Sequence, residues 1–413
     1  MTEFLAKEGQ LLLPMVELIE QAQVAVDAVI DVLGRATIEA VLELSAQAVA
    51  GPKHPGRPSG AVRWHGRQSG VVALSNRKLK VEKPRLRRKG KGSGREVEVP
   101  AYAALQADAR LGDTMLGILM RGVSTRGYAE VLPEMAQTVG VSKSSVSREF
   151  VEASERALKA VAERSFAAED ILIVYLDGLV FGGRHHVLVA VGVDAEGHKH
   201  VLGLKEGASE NATAAKALLE DLVARGVKPG RRRLFVIDGS KALRSAVEAV
   251  YGAHNPVQRC RAHKVRNVVD YLPEELKGQV KAVMKAAFRL DAKAGMAKLE
   301  QQAKWLEKGY PSAAASLREG LEELFTVNRL ELSAALCRCL ATTNLIESPH
   351  AGVRLRTGRV TRWQDPGMAV RWAAAAFLET EHHFRRIMGY QDLWMLKAYL
   401  DVRKDVTSQE KVA

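Results

Sequence analysis

Hydrophobic residues recur at helical spacing through the first 50 residues, and the pattern then changes along the chain. Leu12, Val16, Ile19, Val26 and Ile30 follow a helical period, which predicts helix from residue 1 to about residue 50. The proline- and glycine-rich stretch 51–60 predicts a linker or turn-rich segment. An alternating segment between residues 71 and 81 predicts a small hairpin, and residues 102–169 are again mostly helical.

Residues 170–268 carry shorter, β-branched runs that predict strands. Four runs and a short segment near Val257 are candidates: Ile171–Leu176, His186–Val193, His200–Leu204 and Leu234–Ile237. Amphipathic patterns predict helices over 211–225 and 241–251. Three strands, helix, strand, helix, strand is the order of an α/β ribonuclease H-like domain, and we expect that fold here.

The remaining pattern is helical. Residues 270–340 are lysine-rich and helical, and a long helix is expected around 368–387. The predicted organisation has five segments. They are an N-terminal helical segment with a basic arm (1–100), a helix-turn-helix-like region (101–169), the first part of the α/β core (170–269), an all-helical segment (270–340) and the end of the core with C-terminal helices (341–413).

The segment around Gly140 resembles a helix-turn-helix. A turn at Gly140 and a second helix opened by Ser142 would present one polar face to a DNA major groove. The residues predicted to contact DNA from that face are Lys143, Ser144, Ser147 and Arg148. Many helical hairpins with a glycine turn bind nothing, and this alternative stays open.

The charge balance changes the choice of partners. Lys and Arg number 61 and Asp and Glu 48, a formal net charge of +13, which favours a polyanionic partner, either nucleic acid or an anionic membrane surface. Cations dominate residues 77–95, where a phosphate-tracking arm containing Arg85, Arg87 and Arg88 competes with a solvated flexible segment.

No segment supports a membrane location. The most apolar stretch, 171–181, contains an aspartate and is far shorter than the roughly 20 residues of a spanning helix. The amino terminus lacks the features of a signal peptide, and the three cysteines provide no disulfide framework. We expect a cytoplasmic, nucleoid-associated protein.

Two of the predicted strands end in an Asp-Gly pair. If the strands ending at Asp177 and Asp238 are neighbours, the two carboxylates lie side by side at the carboxyl edge of the sheet, where they repel unless a cation separates them. Oxygen ligands favour Mg²⁺ or Mn²⁺, and a two-metal site can activate water or a DNA 3′-hydroxyl for phosphoryl transfer. Alternatively, each Asp-Gly pair is simply a turn.

A third acid and a Cys-x-x-His segment complete the candidate chemistry. Glu347 is the candidate third acid, although Asn344–Glu347 also fits a helix capping box. His263 and Arg266 are candidates for contact with DNA near the acids. Cys260 and His263 together with Cys337 and Cys339 are a weaker zinc candidate, because the Cys-x-Cys spacing suits a structural site poorly.

Four blocks, in order, resemble mutator-type bacterial insertion-sequence transposases. The blocks are Asp177-Gly-Leu-Val, Val236-Ile-Asp-Gly-Ser-Lys-Ala-Leu243, Gln258-Arg-Cys-Arg-Ala-His-Lys-Val-Arg-Asn267 and Thr343-Asn-Leu-Ile-Glu-Ser348. The resemblance covers most of the chain and is weakest before about residue 60.

The resemblance implies a DDE-type ribonuclease H-like core with an all-helical insertion before the glutamate. It makes Asp177, Asp238 and Glu347 the metal ligands and catalytic acids, and Cys260 with His263 the family's Cys-x-x-His signature. It also implies double-stranded DNA partners, namely terminal inverted repeats and target DNA, and a homodimer or higher oligomer that acts on two ends.

The sequence departs from the expected helix just after Glu347, and two alternative functions remain. Pro349 follows Glu347 closely, so that Ser348 is expected to cap a helix with Glu347 at its edge. The alternatives to an active transposase are a non-catalytic DNA-binding relative and a ribonuclease H-like nuclease that acts on RNA-containing duplexes or junctions.

Overall fold

The chain forms two compact units, residues 1–116 with 123–150 and residues 117–122 with 151–413. The structure, a computed structural model, describes residues 34–53, 61–74, 77–88, 96–106, 143–208, 210–358 and 360–402, with single residues 32, 113, 116 and 120. The following description is of these residues.

The first unit contains a helix packed on a small antiparallel sheet. Its elements are α1 (34–50), β1 (Val62–Leu74), β2 (Arg77–Arg88), β3 (Glu96–Val97) and α2 (Pro100–Gln106). The strand order is β1-β2-β3. Ile38, Leu42 and Ala46 recur every fourth residue on α1 and share a buried cluster with Val72 and Leu79 of the hairpin.

The hairpin is confirmed, and it is longer than predicted. Pairing runs from Val62 opposite Arg88 to Leu74 opposite Arg77. Residues 77–88 therefore form a strand and not the flexible segment that was the alternative to a phosphate-tracking arm. The reason is that buried Leu79, Val81 and Leu86 are interspersed among the cations of β2. Residues 89–95 lie outside the described part, and the phosphate-tracking role stays a prediction.

The second unit contains a five-stranded mixed sheet. The strands are β4 (Ile171–Phe181), β5 (His185–Asp194), β6 (Lys199–Glu206), β7 (Leu234–Ile237) and β8 (Val257–Arg259). Their order is β6-β5-β4-β7-β8; β5 is antiparallel to both β4 and β6, whereas β7 is parallel to both β4 and β8. The predicted strands are confirmed, and β4 and β7 are neighbours.

One strand boundary differs from the prediction. Strand β4 does not end at Asp177 but continues to Phe181, because its pairing with β5 continues from Asp177 opposite Val189 to Phe181 opposite His185. Only the parallel pairing with β7 stops at Leu176 opposite Ile237. Asp177 therefore lies in mid-strand at the point where one neighbouring strand ends.

Helices pack against this sheet. Helix α3 (Lys143–Glu163) precedes it, and α4 (Ala212–Ala224) and α5 (Lys241–Tyr251) lie where the sequence predicts helices. Leu219 and Val247 of these helices share a buried cluster with Val174 and Phe235 of the sheet. Burial of each such side chain contributes about 1.5–3 kcal/mol to folding.

The rest of the second unit is helical among the residues that the structure describes. The helices are α6 (Arg261–Val269), α7 (Glu274–Ala287), α8 (Ala292–Glu307), α9 (Pro311–Arg318), α10 (Thr326–Arg329), α11 (Ala334–Leu340), α12 (Asn344–Thr357), α13 (Pro366–Glu381) and α14 (Leu393–Val402), with 3-10 turns at Glu322–Phe325 and Tyr390–Asp392. Helices α6 to α9 enclose a separate core that includes Met284, Leu299 and Leu317. Within the described chain, no helix is long and apolar enough to cross a membrane.

Candidate active site

Asp177 and Asp238 lie next to each other on parallel strands. Leu176 of β4 and Ile237 of β7 are register partners, and each aspartate is the next residue along its own strand direction. The Asp177 carboxylate is about nine-tenths buried, and its Oδ1 accepts a hydrogen bond from the Gly178 amide at 2.9 Å. The parallel register thus brings together the first two acids that the sequence singles out.

A tight turn holds Asp238 at the end of β7. Its Oδ1 accepts a hydrogen bond from the Ser240 amide at 2.8 Å, and Ser240 is the N-cap of α5. Gly239 between them has φ of +105°, and a β-carbon there would collide with the Arg259 guanidinium, which donates to the Gly239 carbonyl at 2.8 Å. The Asp-Gly pair is therefore a turn, and this turn also fixes the position of the acid.

Glu347 lies in the first turn of α12, which begins at Asn344 and continues to Thr357. The predicted helix start at Ser348 is wrong. The amides of Ile346 and Glu347 both donate to the Thr343 carbonyl, which makes Thr343 the N-cap. Pro349 is therefore inside the helix, in its second turn, where the Leu345 carbonyl lacks the usual amide donor four residues later. Asn344 is likewise not the cap that a capping box requires.

His350 extends the contact between α12 and β4. It lies one turn after Glu347, is buried, and its Nδ1 is 3.7 Å from Oδ2 of Asp177. Its Nε2 is buried without a hydrogen-bond partner, and burial followed by the nearby Arg354 charge lowers the pKa of His350 to about 3. A neutral imidazole therefore packs beside the Asp177 carboxylate.

The three acids interact electrostatically. Burial raises the pKa of Asp177 to about 6; the His263 charge and the Gly178 amide oppose this increase, and the charges of Asp238 and Glu347 add to it. Two further carboxylates close enough to disfavour the Asp177 anion define a site of concentrated negative potential. A divalent cation bound to these carboxylates would reverse that penalty.

Cys260 ties the parts of the site together. Its amide donates to the Ile237 carbonyl at 2.8 Å, and its Sγ is the N-cap of α6, where it accepts from the His263 amide at 3.5 Å. The same sulfur accepts from the amide and the hydroxyl of Thr343, both at 3.3 Å and 83 residues away along the chain. The backbone amide of Cys260 thus joins the ends of β7 and β8, and its sulfur joins the starts of α6 and α12.

This arrangement also shifts the pKa values of Cys260 and His263. Burial opposes ionisation of the thiol, but the hydrogen bonds from His263 and Thr343 outweigh it and lower the pKa of Cys260. The hydrogen bond with Cys260 raises the pKa of His263; burial opposes this increase, and the Cys260, Asp177 and Asp238 charges add to it. His263, half-buried beside the acids, is therefore more readily protonated than an ordinary imidazole.

The zinc alternative receives no geometric support. The Cys337 thiol faces the carbonyl oxygens of Val327 and Leu332 at 3.5 Å, and the Cys260 sulfur is already an acceptor for three hydrogen bonds. Among the described residues, the group whose potential ligand atoms all lie within 4.8 Å of one another is a different one, formed by Glu169, Asp194 and His200.

That second cluster lies at the other end of β4. Asp194 is opposite Ile171, six residues or about 20 Å along the strand from Asp177. Asp194 already accepts hydrogen bonds from the Glu196 and His198 amides and lies 2.7 Å from Nε2 of His200. These contacts close the β5–β6 hairpin, so the cluster has a structural explanation.

The predicted DNA-contact residues divide into three groups. Arg85 and Arg87 lie on β2 and both pair with Glu96, whereas Arg88 at the end of β2 is exposed. Arg266 is exposed on α6, one turn after His263. The side chains of Lys143, Ser144, Ser147 and Arg148 and the turn at Gly140 lie outside the described part of the chain, so that the predicted helix-turn-helix stays a prediction.

Sequence reasoning missed Thr343 and His350. Thr343 stands directly before α12 and contacts Cys260 through a pairing that no local pattern announces. His350 could have been noticed, because a residue three positions after Glu347 in a helix lies on nearly the same face.

Comparison with known proteins shows the family of the chain. A sequence profile of the Mutator family of transposases matches residues 7–386. The chain therefore belongs to the Mutator family of transposases, and the resemblance seen in its four blocks is confirmed.

Individual relatives are similar over most of their length. A transposase for insertion sequence element IS6120 of Mycolicibacterium smegmatis is 29% identical over 268 residues, covering 63% of this chain and 80% of the relative. A transposase for IS1081 of Mycobacterium tuberculosis is 26% identical over 318 residues, 74% of each chain. A transposase for IS406 of Burkholderia multivorans is 28% identical over 307 residues, 72% of this chain and 74% of the relative.

Replacement of Cys260 tests the tie between α6 and α12. We expect Cys260→Ala to lower the free energy of unfolding by about 1–2 kcal/mol, because it removes an N-cap acceptor and leaves the buried Thr343 hydroxyl without that partner. Cys260→Ser keeps an acceptor and should retain most of the stability. Thermal melts monitored by circular dichroism measure both, and equal destabilisation by serine and alanine would contradict the capping role.

Replacement of Asp177 tests whether burial and the neighbouring carboxylates disfavour its ionised form. The folded-state pKa of about 6 exceeds the ordinary value of 3.8, so that wild-type stability is lost as pH rises from about 4 through 6. Without divalent metal, Asp177→Asn should therefore be more stable than wild type at about pH 8, on the order of 2 kcal/mol, with the difference vanishing near pH 4.

Melting temperatures across pH in a chelating buffer measure this difference. The exposed Asp270→Asn is the matched control and should show no such gain. An Asp177→Asn protein that is no more stable than wild type at about pH 8 would show that burial and the neighbouring carboxylates do not disfavour the Asp177 anion as described.

Proposed function

We propose that the chain is a DNA transposase that cuts DNA at the terminal inverted repeats of its own insertion sequence and joins the ends to target DNA. The single observation that carries this proposal is that buried Asp177 and Asp238 follow register partners on neighbouring parallel strands, with the charges of Asp238 and Glu347 close enough to raise the pKa of Asp177. Membership of the Mutator family supports the same reaction class.

We further propose that the second unit is a ribonuclease H-like DDE core with a helical insertion. The mixed sheet order β6-β5-β4-β7-β8 supports this assignment, with the three antiparallel strands first in the chain and two parallel strands after them. The helices between Cys260 and Thr343 correspond to the proposed insertion, and Glu347 follows it directly.

The carboxylates fit divalent cations by the chemistry of their donors. Three hard oxygen donors suit Mg²⁺ or Mn²⁺, and Asp177, Asp238 and Glu347 would hold these ions. The ions, when bound, would activate the attacking oxygen and stabilise the leaving oxygen of a phosphoryl transfer.

The protein's own groups would position the DNA. In the first reaction, water attacks a phosphodiester and the bond to the leaving sugar oxygen breaks; in the second, a DNA 3′-hydroxyl takes the place of water. His263, whose pKa is raised by Cys260 and by the nearby Asp177 and Asp238 charges, can donate a hydrogen bond to a phosphate oxygen. His350 packs against Asp177 and holds the carboxylate in place.

A transposase must bring together two element ends, and we propose a dimer as the smallest active assembly. The exposed Arg88 and Arg266 and the predicted helix-turn-helix are the proposed DNA contacts besides His263. Their part would be to bind phosphates and, for the helix-turn-helix, to read sequence.

An assay of end cleavage tests the proposal. Duplex DNA that carries the ends of the encoding element is incubated with the protein and Mg²⁺, Mn²⁺ or a chelator. We expect metal-dependent cleavage at the ends, reduced by about a thousandfold or more in Asp177→Asn, Asp238→Asn and Glu347→Gln, with end binding retained.

The exposed Asp270→Asn and Glu210→Gln are matched controls and should cleave like wild type. Tight end binding without cleavage in either metal would instead identify a non-catalytic DNA-binding relative, and the catalytic roles of the three acids would be abandoned.

A further inference from the structure

A basic cavity lies between α6, α7 and α11. Its volume is about 640 Å³, within the range of about 300–1,000 Å³ that is usual for ligand pockets. Twelve residues line it, among them Arg261, Arg266, Lys281, Lys285, Arg289 and Arg338. Six of these twelve residues are cations and none is an acid, which gives the cavity a strongly positive potential.

The cations have no counter-charge of their own. Among the described residues, no ion pair joins Arg266, Lys281, Lys285, Arg289 or Arg338 to a carboxylate, and all five are exposed. Lys281, Lys285 and Arg289 recur every fourth residue along and just beyond α7, where like charges repel one another. An anionic ligand would remove this repulsion.

Arg261 adds a buried charge to the wall of the cavity. Its guanidinium donates to the carbonyls of Leu324 at 2.9 Å and Phe288 at 3.3 Å and to the side-chain oxygen of Asn328, all neutral acceptors. Burial lowers the pKa of Arg261 to about 10, which leaves it cationic at neutral pH. A buried arginine held by neutral groups alone is an uncompensated charge that a nearby anion stabilises.

The rest of the lining is apolar. Val265, Val269, Ala262 and Ala341 line the cavity, together with the half-buried ring of Phe288. A free phosphate or an acidic side chain would leave this surface without a partner. A ligand that has both a flat, apolar part and several negative charges uses the whole lining, and a nucleotide within a DNA strand has this composition.

The cavity is also adjacent to His263 and Thr343 along the chain. Ala262 precedes His263, and Thr342 precedes Thr343, which contacts Cys260. Arg266 follows His263 by one helical turn, about 5 Å. A DNA strand in contact with His263 would therefore pass close to the cavity.

We propose that this cavity binds an unstacked nucleotide of the DNA strand, with its base against Phe288 and the valines and its phosphates on the surrounding cations. Stacking of a base on an aromatic ring is tolerant of sequence, so that the cavity would hold a strand in place rather than read it. The inference rests on the proposed function in one respect only, namely that DNA is the substrate.

The test compares a short fluorescent single strand of thymidines with the same backbone lacking its bases. We expect wild type to bind the base-bearing strand about 5- to 100-fold more tightly, measured by fluorescence anisotropy at fixed salt. Ala262→Leu places a larger side chain in the basic cavity, where the base would lie. It should reduce the ratio of the two affinities towards one, with little change in affinity for the abasic strand.

A second variant avoids substitution inside the cavity. Lys285→Gln removes one exposed cation and should lower the salt dependence of strand binding, with a change in log–log slope of about 0.7. The exposed Lys293→Gln removes the same charge from α8, away from the cavity, and should leave the slope nearly unchanged. Thermal melts check that every variant is folded.

The outcomes separate this inference from the proposed function. Equal wild-type affinity for the two strands, or a preference that Ala262→Leu leaves intact, would overturn the nucleotide cavity even if end cleavage occurs. A base preference that is lost in Ala262→Leu supports it even if the cleavage assay fails.

Discussion

The hydrogen bonds at Cys260 hold the segment that carries Glu347 against the end of the sheet that carries the two aspartates. The two aspartates need only the parallel pairing of β4 and β7, but Glu347 is more than a hundred positions further along the chain, beyond the helices that begin after Cys260. The Cys260 sulfur, bonded to His263 and Thr343, joins the two ends of that helical segment, and the Arg261 amide reinforces the join by donating to the Ala341 carbonyl at 3.0 Å. A buried sulfur can hold these elements because it accepts several long hydrogen bonds at once, and it thereby orients His263 and the start of α12 together.

The charge distribution around this tie is strongly polarised. On one side, Asp177 is buried among carboxylates that oppose its ionisation. On the other, the basic cavity collects cations without acids. Either group of like charges costs stability in the protein alone, and each becomes favourable when the proposed ligand, a divalent cation or a DNA strand, supplies the missing charge. Clusters of like charge that lower stability in the free protein are typical of functional sites, because they favour binding of a ligand of opposite charge.

Local patterns predicted much of this structure, and long-range contacts account for most of what was missed. Helix α5 lies where its amphipathic pattern predicts it, and α4 differs from the predicted range by a residue at each end, because its predicted ends, Asn211 and Arg225, are its caps. The continuation of β4 beyond Asp177 depends on pairing with β5, and the start of α12 depends on Thr343 serving both as N-cap and as partner of Cys260. The basic cavity is formed by helices far apart in sequence, so charge counting could indicate a polyanionic partner but could not locate it. The ribonuclease H-like assignment and the metal-ligand roles stay predictions.

Localised oxidation can test whether Asp177, Asp238 and Glu347 bind the catalytic metal ions. Fe²⁺ replaces Mg²⁺ in the protein, ascorbate and peroxide generate hydroxyl radicals at the bound iron, and mass spectrometry locates the backbone cleavage. We expect cuts near residues 177, 238 and 347 that excess Mg²⁺ suppresses and that Asp177→Asn abolishes. Cuts confined to the neighbourhood of Glu169, Asp194 and His200, the other cluster of potential ligands, would contradict it.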